Sequence, residues 1–240
     1  MSKVQVSSTN DNSVYTYLVE LCREITSSNQ LIKLDRLYRI ARRELDVDSK
    51  CIIQGIQQLQ DNLVIRQNSR LMREDLLDNE TRREIYALVK LNPGITFNAI
   101  RKRMGRGTKV LLWHLEVLQE FDCIHSMSFD RKSNALFTRD IAKGEWEETG
   151  LYLFFMYHNE TTKQILDLLH GDKSFSVKEL ARVMEVTRQA VDYQLKQLLE
   201  RGIIDHFTEK VGRRVRRYFL PRRVKHLYAK VKRWMLGDRT

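Results

Sequence analysis

Apolar positions along the chain fall into blocks, and the blocks repeat. Between residues 79 and 124 they stand at Ile85, Leu88, Phe97, Ile100, Met104, Leu111, Leu115, Leu118 and Ile124. Eighty positions further on, with no gap, stand Ile165, Leu168, Val177, Leu180, Met184, Val191, Leu195, Leu198 and Ile204. The tripeptide Asn79-Glu80-Thr81 returns as Asn159-Glu160-Thr161. Two copies of one supersecondary unit explain a register held over that length.

Each copy predicts three helices and a hairpin. Asn79 and Asn159 are placed to cap a first helix, which Pro93-Gly94 or Gly171-Asp172 ends. Thr96 and Ser176 then cap a short second helix, and Glu179, three residues after Ser176, completes a capping box. After a tight turn, a longer third helix carries apolar residues at 111, 115 and 118, or at 191, 195 and 198. Two β-like stretches follow: Cys123–Met127 and Ala135–Phe137, or Ile203–Phe207 and Val215–Leu220. Three helices with a short turn before the third, closed by a hairpin, describe a winged helix-turn-helix.

A more diverged copy precedes them. Ile40-Ala41-Arg42 resembles Leu180-Ala181-Arg182, and Ile52, Ile56, Leu59 and Ile65 align with Leu111, Leu115, Leu118 and Ile124 at an offset of 59. Its wing, Arg66 to Arg73, is short and polar. The expected architecture is mainly α with small β-hairpin wings: a diverged module over 1–75, modules over 76–143 and 159–220, a connecting segment 144–158, and a basic amphipathic C-terminal helix over 221–240. The connecting segment, with an acidic head and the aromatic run Leu151–Tyr157, reads as a buried piece between domains or, alternatively, as a homodimer seam.

Charge sharpens this picture. The chain has 240 residues and a net charge of +11, but residues 201–240 hold 13 Lys/Arg against 3 Asp/Glu, a surplus of ten. A basic field this localised attracts a polyanion, either nucleic acid or an anionic membrane surface. With 42% hydrophobic residues, the chain can build packed cores. The polar start MSKVQVSSTN predicts no signal peptide, and no apolar run has the length of a membrane span. Three widely spaced cysteines, Cys22, Cys51 and Cys123, predict a reducing, cytoplasmic compartment without a disulfide framework.

The segments NETRREIYALVKLNPGITFNAIRKRMGRGTKVLLWHLEVL and SVKELARVMEVTRQAVDYQLKQLLERGII resemble tandem winged-helix transcriptional regulators of archaea. They are also similar to the wider ArsR/MarR-like winged-helix group. The resemblance covers about 79–220 well and 14–78 loosely. It implies sequence-specific binding of double-stranded DNA. The metal-sensing cysteines of some ArsR-type members have no counterpart, because Cys123 stands alone in its repeat.

A winged helix places its third helix in the major groove and its wing along the phosphates. In the last copy the third helix offers Arg188, Gln189, Asp192, Tyr193 and Gln194, with Ser176 at the preceding helix start. Arg suits guanine and Gln suits adenine; Asp192 either accepts from cytosine or orients Arg188. The wing supplies Lys210, Arg213, Arg214, Arg216 and Arg217 around a tip at Gly212. Strand alternation puts Arg217 on the side of Val215, so it either curls back or sits at a twist. Arg222 and Arg223 follow directly, opening a helix whose apolar side is Val224, Leu227/Tyr228, Val231 and Trp234/Met235. Three roles are open to that helix: dimerisation, phosphate contact or membrane association, with packing on the domain and a basic face toward DNA preferred.

The middle copy offers Thr108, Lys109, Leu112, Trp113 and His114, with Arg101, Lys102, Arg103 and Arg106 around the turn. Leu112 and Trp113 are unusual in a groove and suit a protein partner; so does Ile53 in the first copy. A homodimer and the transcription machinery are therefore candidate partners beside DNA. The competing reading is a protein-interaction scaffold within a polymerase, chromatin or membrane-remodelling assembly. The six histidines are scattered, and no HExxH, CxxC, P-loop, GxSxG or GxGxxG pattern occurs, so neither a metal site, a cofactor nor an enzyme is expected.

Overall fold

The computed structural model describes residues 11–129, 133–171, 173–211 and 213–237; the side chains of 11, 12, 211 and 213 lie outside that description. So do the expected wing tip at Gly212 and the turn residue Asp172. Helices dominate, in the order α1 (Asp11–Ser27), α2 (Leu34–Glu44), α3 (Ser49–Asp61) and α4 (Glu80–Leu91). Then come β1 (Ile95–Thr96), α5 (Phe97–Met104), α6 (Thr108–Glu120), β2 (Ile124–Ser128), β3 (Asn134–Thr138), α7 (Arg139–Ala142) and α8 (Glu148–Tyr157). The chain continues through α9 (Glu160–His170), α10 (Val177–Val183), α11 (Arg188–Glu200), β4 (Asp205–Val211), β5 (Arg213–Phe219) and α12 (Arg222–Met235). The result is a mainly helical protein with two small antiparallel sheets, one ordered β1-β3-β2 and the other β4-β5.

The periodicity of the sequence is realised in the backbone. Helices α3, α6 and α11 are each 13 residues long and start 59 and 80 positions apart. Each stops in the same way. Leu63, Asp122 and Gly202 take the left-handed conformation at φ 57°, 59° and 63°. The next N–H then bonds back to a buried leucine carbonyl: Val64 to Leu59, Cys123 to Leu118, Ile203 to Leu198, each at 2.9 Å. This is the Schellman-type stop that satisfies the last helical carbonyls. The caps recur as well. Asn79 accepts from the Arg82 N–H and Asn159 from the Thr162 N–H, while Thr96 accepts from Ala99 and Ser176 from Glu179. In the last copy the Glu179 carboxylate returns the bond to the Ser176 N–H, closing the capping box.

The wings differ. β4 and β5 form seven-residue strands, starting at Asp205 rather than Ile203, because Ile203 and Ile204 are buried ahead of the ladder. The polar stretch after α3 keeps only one bridge, Ile65 to Met72. In each copy an extended segment before the second helix joins the hairpin. Ile95 pairs with Leu136 and Phe175 with Tyr218, and Ile32 exchanges bonds of 2.8 Å with Ser69 and Asn68.

Contacts divide the chain into two compact units. One comprises residues up to Ala87 together with Gly105–Ile124; the other comprises Leu88–Met104 and everything from His125. In the first unit α1, α2 and α3 enclose Leu18, Cys22, Leu37, Ala41, Ile52 and Leu59, all 0% exposed. Gly55 lets α1 approach, since a Cβ there would lie 2.7 Å from Leu18 Cδ1. Burial pushes the Cys22 thiol up to about 12, so it stays protonated and inert. Further along, Arg73 donates to the Phe121 carbonyl at 3.0 Å, and the buried Arg82 donates to the Leu76 and Asp75 carbonyls.

The second unit is organised around α8. Gly150, Leu151, Tyr152, Leu153, Phe154 and Met156 are all buried, so the aromatic run between the two clear copies is core. A helix that is apolar all round has to be covered on every side. α9 and α12 pack against it. Trp146 lies edge-on to Phe154 at 4.7 Å, and Trp234 stands 6.3 Å from both. α12 buries Val224, Tyr228 and Val231, and Lys232 pairs with Asp167 at 2.6 Å. The apolar side of α12 is thus occupied within its own unit. Among the described residues no helix is long and apolar enough to cross a membrane.

Truncating a core position of α11 should be far more costly than truncating an exposed one. Leu198→Ala removes a side chain that is 0% exposed and should lower stability by about 2–5 kcal/mol. Ile53→Ala, at a position 56% exposed, should change it by less than about 0.5 kcal/mol. Denaturant titration followed by circular dichroism checks both; equal effects would contradict the packing.

Candidate nucleic-acid interface

The last copy builds its outer surface from helix geometry. α11 buries Val191, Leu195 and Leu198. Arg188, Gln189, Asp192, Tyr193 and Lys196 are left exposed, following the 3.6-residue period. Thr187 caps the helix, its hydroxyl accepting from the Ala190 N–H at 3.2 Å. The turn before it is set by Glu185, left-handed at φ 55°, where Gly105 occupies the matching position of the middle copy at φ 63°. Lys178 and Arg182 on α10 are also exposed, one helical turn apart. These two and Lys196 were missed in the sequence; the spacing Arg188, Asp192, Lys196 is the signal that reveals the last of them.

The β4–β5 register separates two chemistries. Lys210 is opposite Arg214, and Thr208 opposite Arg216. Cross-strand partners share a side of the sheet, so Lys210, Arg214 and Arg216 form one basic, exposed face. On the other side Arg217 is opposite Phe207. Its guanidinium donates to the Ser174 hydroxyl at 3.0 Å and the Ser174 carbonyl at 2.7 Å. The same group lies 3.4 Å from both Glu179 and Glu209. Arg217 thus curls back as a clasp between the hairpin root and α10, not outward with Arg214 and Arg216. The Ser176 N–H, then the Ser176 hydroxyl and Arg217, hold the Glu179 carboxyl below the usual carboxylate range.

Several expected surface positions need correction. Ser176 is buried at 8% exposure because it is committed to the capping box. Gln194 is half-buried and its side-chain oxygen accepts from the Thr162 hydroxyl at 2.8 Å. His114 is buried at 7%, since its place on α6 falls beside Leu111 and Leu115 on the inner stripe. Burial, with the nearby Arg82 and Arg106 charges, holds that imidazole below its ordinary value. Arg106 donates to Thr81 and pairs with Glu84 at 3.0 Å, so it braces the start of α4.

The remaining positions lie at the surface. On α6, Thr108, Lys109, Leu112 and Trp113 are exposed, Trp113 at 55%, together with Val110. On α5, Arg101, Lys102 and Arg103 are exposed. Arg222 and Arg223 are exposed at the start of α12, where Arg223 pairs with Glu147. The Arg213 side chain lies outside the described residues. Among the described residues no group of three or more His, Cys, Asp or Glu side chains is placed to hold a metal ion.

A short helix, a tight turn, and a second helix with one buried and one polar stripe settle the local motif. Residues 177–200 form a helix-turn-helix. The comparison with protein families agrees: residues 158–206 match a model described as a helix-turn-helix domain. A protein of Methanocaldococcus jannaschii, described as an uncharacterized HTH-type transcriptional regulator, is 29% identical over 142 residues. That match takes in 59% of this chain and 34% of the relative, so the chain spans about a third of the relative's length.

His158, at the start of the helix-turn-helix match, bonds through Nε2 to the Pro93 carbonyl at 2.9 Å. Burial holds its imidazole below the ordinary 6.5, with Arg103 adding to the effect. His114 is depressed in the same direction. For both, the unfolded chain takes up a proton first as pH falls, so their contribution is present above about 6.5 and lost below it. Unfolding temperature should therefore drop between pH 7.5 and 5.5, and a His114→Gln/His158→Gln variant should show a flatter profile. An unchanged slope in that variant would contradict the assignment.

Proposed function

We propose that the protein is a transcription regulator that binds double-stranded DNA in the cytoplasm, built from tandem winged-helix modules with the last copy as principal reader. The observation that carries this reading is the pairing of an exposed polar stripe on α11 with a basic outer face on its hairpin. Arg188, Gln189, Asp192, Tyr193 and Lys196 stand on the first; Lys210, Arg214 and Arg216 stand on the second. In this reading α11 enters the major groove, where Arg188 and Gln189 have the donors to read guanine and adenine edges. The hairpin, with Arg213, lies along the phosphates and displaces counterions. Arg222 and Lys178 extend the phosphate-contacting surface; Arg217 acts by holding the wing against α10. The family match and the archaeal relative, described as a transcriptional regulator, support the same activity. No catalytic step is assigned to the chain.

A second reading has its own observation. Ile53 is 56% exposed, Val110 50% and Trp113 55%. Apolar side chains at the groove-facing positions of α3 and α6 favour protein contacts there, with a second copy of the chain or the transcription machinery, while the last copy holds DNA. Thr108, Lys109, Arg101 and Lys102 remain candidate DNA contacts of the middle copy.

Fluorescence anisotropy with a random-sequence duplex across a salt series tests the main reading. Arg214→Glu/Arg216→Glu should weaken binding and flatten the plot of log affinity against log salt by about 2, at ~0.9 per lost phosphate contact, with little change in stability. Arg217→Ala should in addition lower the unfolding temperature, because it removes the clasp. On a selected site, Arg188→Ala should cost about 1–3 kcal/mol and relax preference at one base pair. A salt slope identical to that of the unmodified protein in the double variant would exclude the hairpin as the phosphate surface.

A further inference from the structure

Helix α6 stands in the middle copy where α11 stands in the last, yet its outer face carries different chemistry. Lys109, Leu112, Trp113, Glu116 and Glu120 are all exposed on it. Lys109 and Glu116 are seven residues apart, so they share one line along the helix, separated by about 10 Å at roughly 1.5 Å per residue. Leu112 and Trp113, 38% and 55% exposed, flank the middle of that line. Glu120 stands one turn beyond Glu116. The face thus has a cation near the helix start, an apolar centre and two carboxylates toward the helix end. Among the described residues, Lys109, Glu116 and Glu120 have no ion-pair partner.

This face does not suit a phosphate backbone. Where α11 exposes Lys196, α6 exposes Glu116, and where α11 exposes Asp192, α6 exposes Leu112. A carboxylate there would meet like charge on DNA, and large apolar side chains left in water favour a protein surface. The helix start points the same way. Asp48 caps α3 and Thr187 caps α11, but Gly107 opens α6 without a side-chain cap. A Cβ added at Gly107 would meet nothing within 4 Å. The first-turn N–H groups are therefore open to an acceptor from outside.

The pattern is self-complementary. About a two-fold axis passing between Leu112 and Trp113, position 109 of one helix comes opposite 116 of the other, and 120 comes opposite the helix start. Each Lys109 then meets the Glu116 of a second copy. Each Glu120 reaches the other copy's uncapped first turn, where the helix dipole favours a carboxylate. Trp113 covers Leu112 across the axis. Such an isologous contact closes with two copies. We propose that the chain pairs with a second copy of itself through antiparallel contact of the two α6 helices, centred on Leu112 and Trp113. The proposal rests on the reading of α6 as a protein surface and gives that surface one occupant. It claims Lys109 for the pair, and it takes α6 out of the major groove into which the winged-helix resemblance would send it. No residue of α11 or the β4–β5 hairpin is used, so a dimer carries two copies of the surface proposed to bind DNA. A contact made by one 13-residue helix is at the small end of specific interfaces, so the dimer dissociates in the micromolar range.

Sedimentation equilibrium of the full chain, from about 1 to 200 µM, tests this. The mass should rise with concentration from 28.6 kDa toward twice that value. Trp113→Ala should weaken pairing at least about tenfold. Lys109→Glu and Glu116→Lys should each weaken it about tenfold or more, because like charges then face each other. The two single variants mixed in equal amounts should pair with each other, and Lys109→Glu/Glu116→Lys should recover most of the affinity. Circular dichroism should be unchanged in every variant, since all these side chains are exposed. A dimer that the charge variants leave intact overturns its location on α6. Weakening without recovery in the mixture and the double variant overturns the antiparallel arrangement. A monomer at every concentration overturns the proposal outright, and titration of a duplex with dilute Trp113→Ala then decides the reading beneath it. A raised Kd would place α6 on DNA and remove that reading too; an unchanged Kd would keep it, with a different protein as occupant.

Discussion

The 3.6-residue period of α11 is the constraint on which the surface depends. Burying Val191, Leu195 and Leu198 fixes the rotation of the helix about its own axis. A slip of one residue would turn every side chain by about 100° and bring Arg188 and Asp192 toward the core. Both ends resist such a slip. Thr187 caps the start, and the left-handed Gly202 with the Ile203–Leu198 bond closes the finish. The polar stripe of Arg188, Gln189, Asp192, Tyr193 and Lys196 is thus a by-product of core packing, and whatever it recognises meets a pre-set array of side chains.

Much of this was legible in the sequence because it is local. Caps at Asn79, Thr96, Asn159 and Ser176 depend on a partner three residues away, and all four are made. Helix lengths follow from apolar spacing, so even the diverged first copy yields a 13-residue α3 with the same stop as α6 and α11. What was not legible depends on partners distant in the chain. Strand alternation placed Arg217 on the Val215 side, but not that Ser174 and Glu179 wait there. Gln194 looked like a base reader until Thr162, 32 residues earlier, took its oxygen. His114 was placed at the surface as the counterpart of Gln194 eighty positions on, yet the inner stripe of α6 runs through 111, 114, 115 and 118.

Helices α3, α6 and α11 share a length and a stop but differ in what they present. α3 offers Ile53, α6 offers Val110, Leu112 and Trp113, and α11 offers charge and amides. The hairpins divide the same way. β3 is buried from Ala135 to Thr138 and carries no exposed arginine, whereas β5 exposes Arg214 and Arg216. A repeated helix frame therefore does not imply a repeated ligand. An apolar face left in water favours a protein surface that covers it, and a basic face favours a polyanion.

Arg217 shows how the last copy keeps its basic hairpin in place. A seven-residue two-stranded ribbon is marginally stable by itself. Like charges at Lys210, Arg214 and Arg216 repel one another across it. The opposite face compensates. Arg217 reaches Glu209 on its partner strand and Glu179 on α10, and bonds twice to Ser174, while Phe175 extends the sheet beside Tyr218. Ion pairs at its half-buried position are screened less than those of the exposed arginines. The ribbon is therefore anchored by attraction on one side and left free to present its repulsive charges on the other. A phosphate backbone laid along that outer side relieves the repulsion, so binding and wing order would reinforce each other.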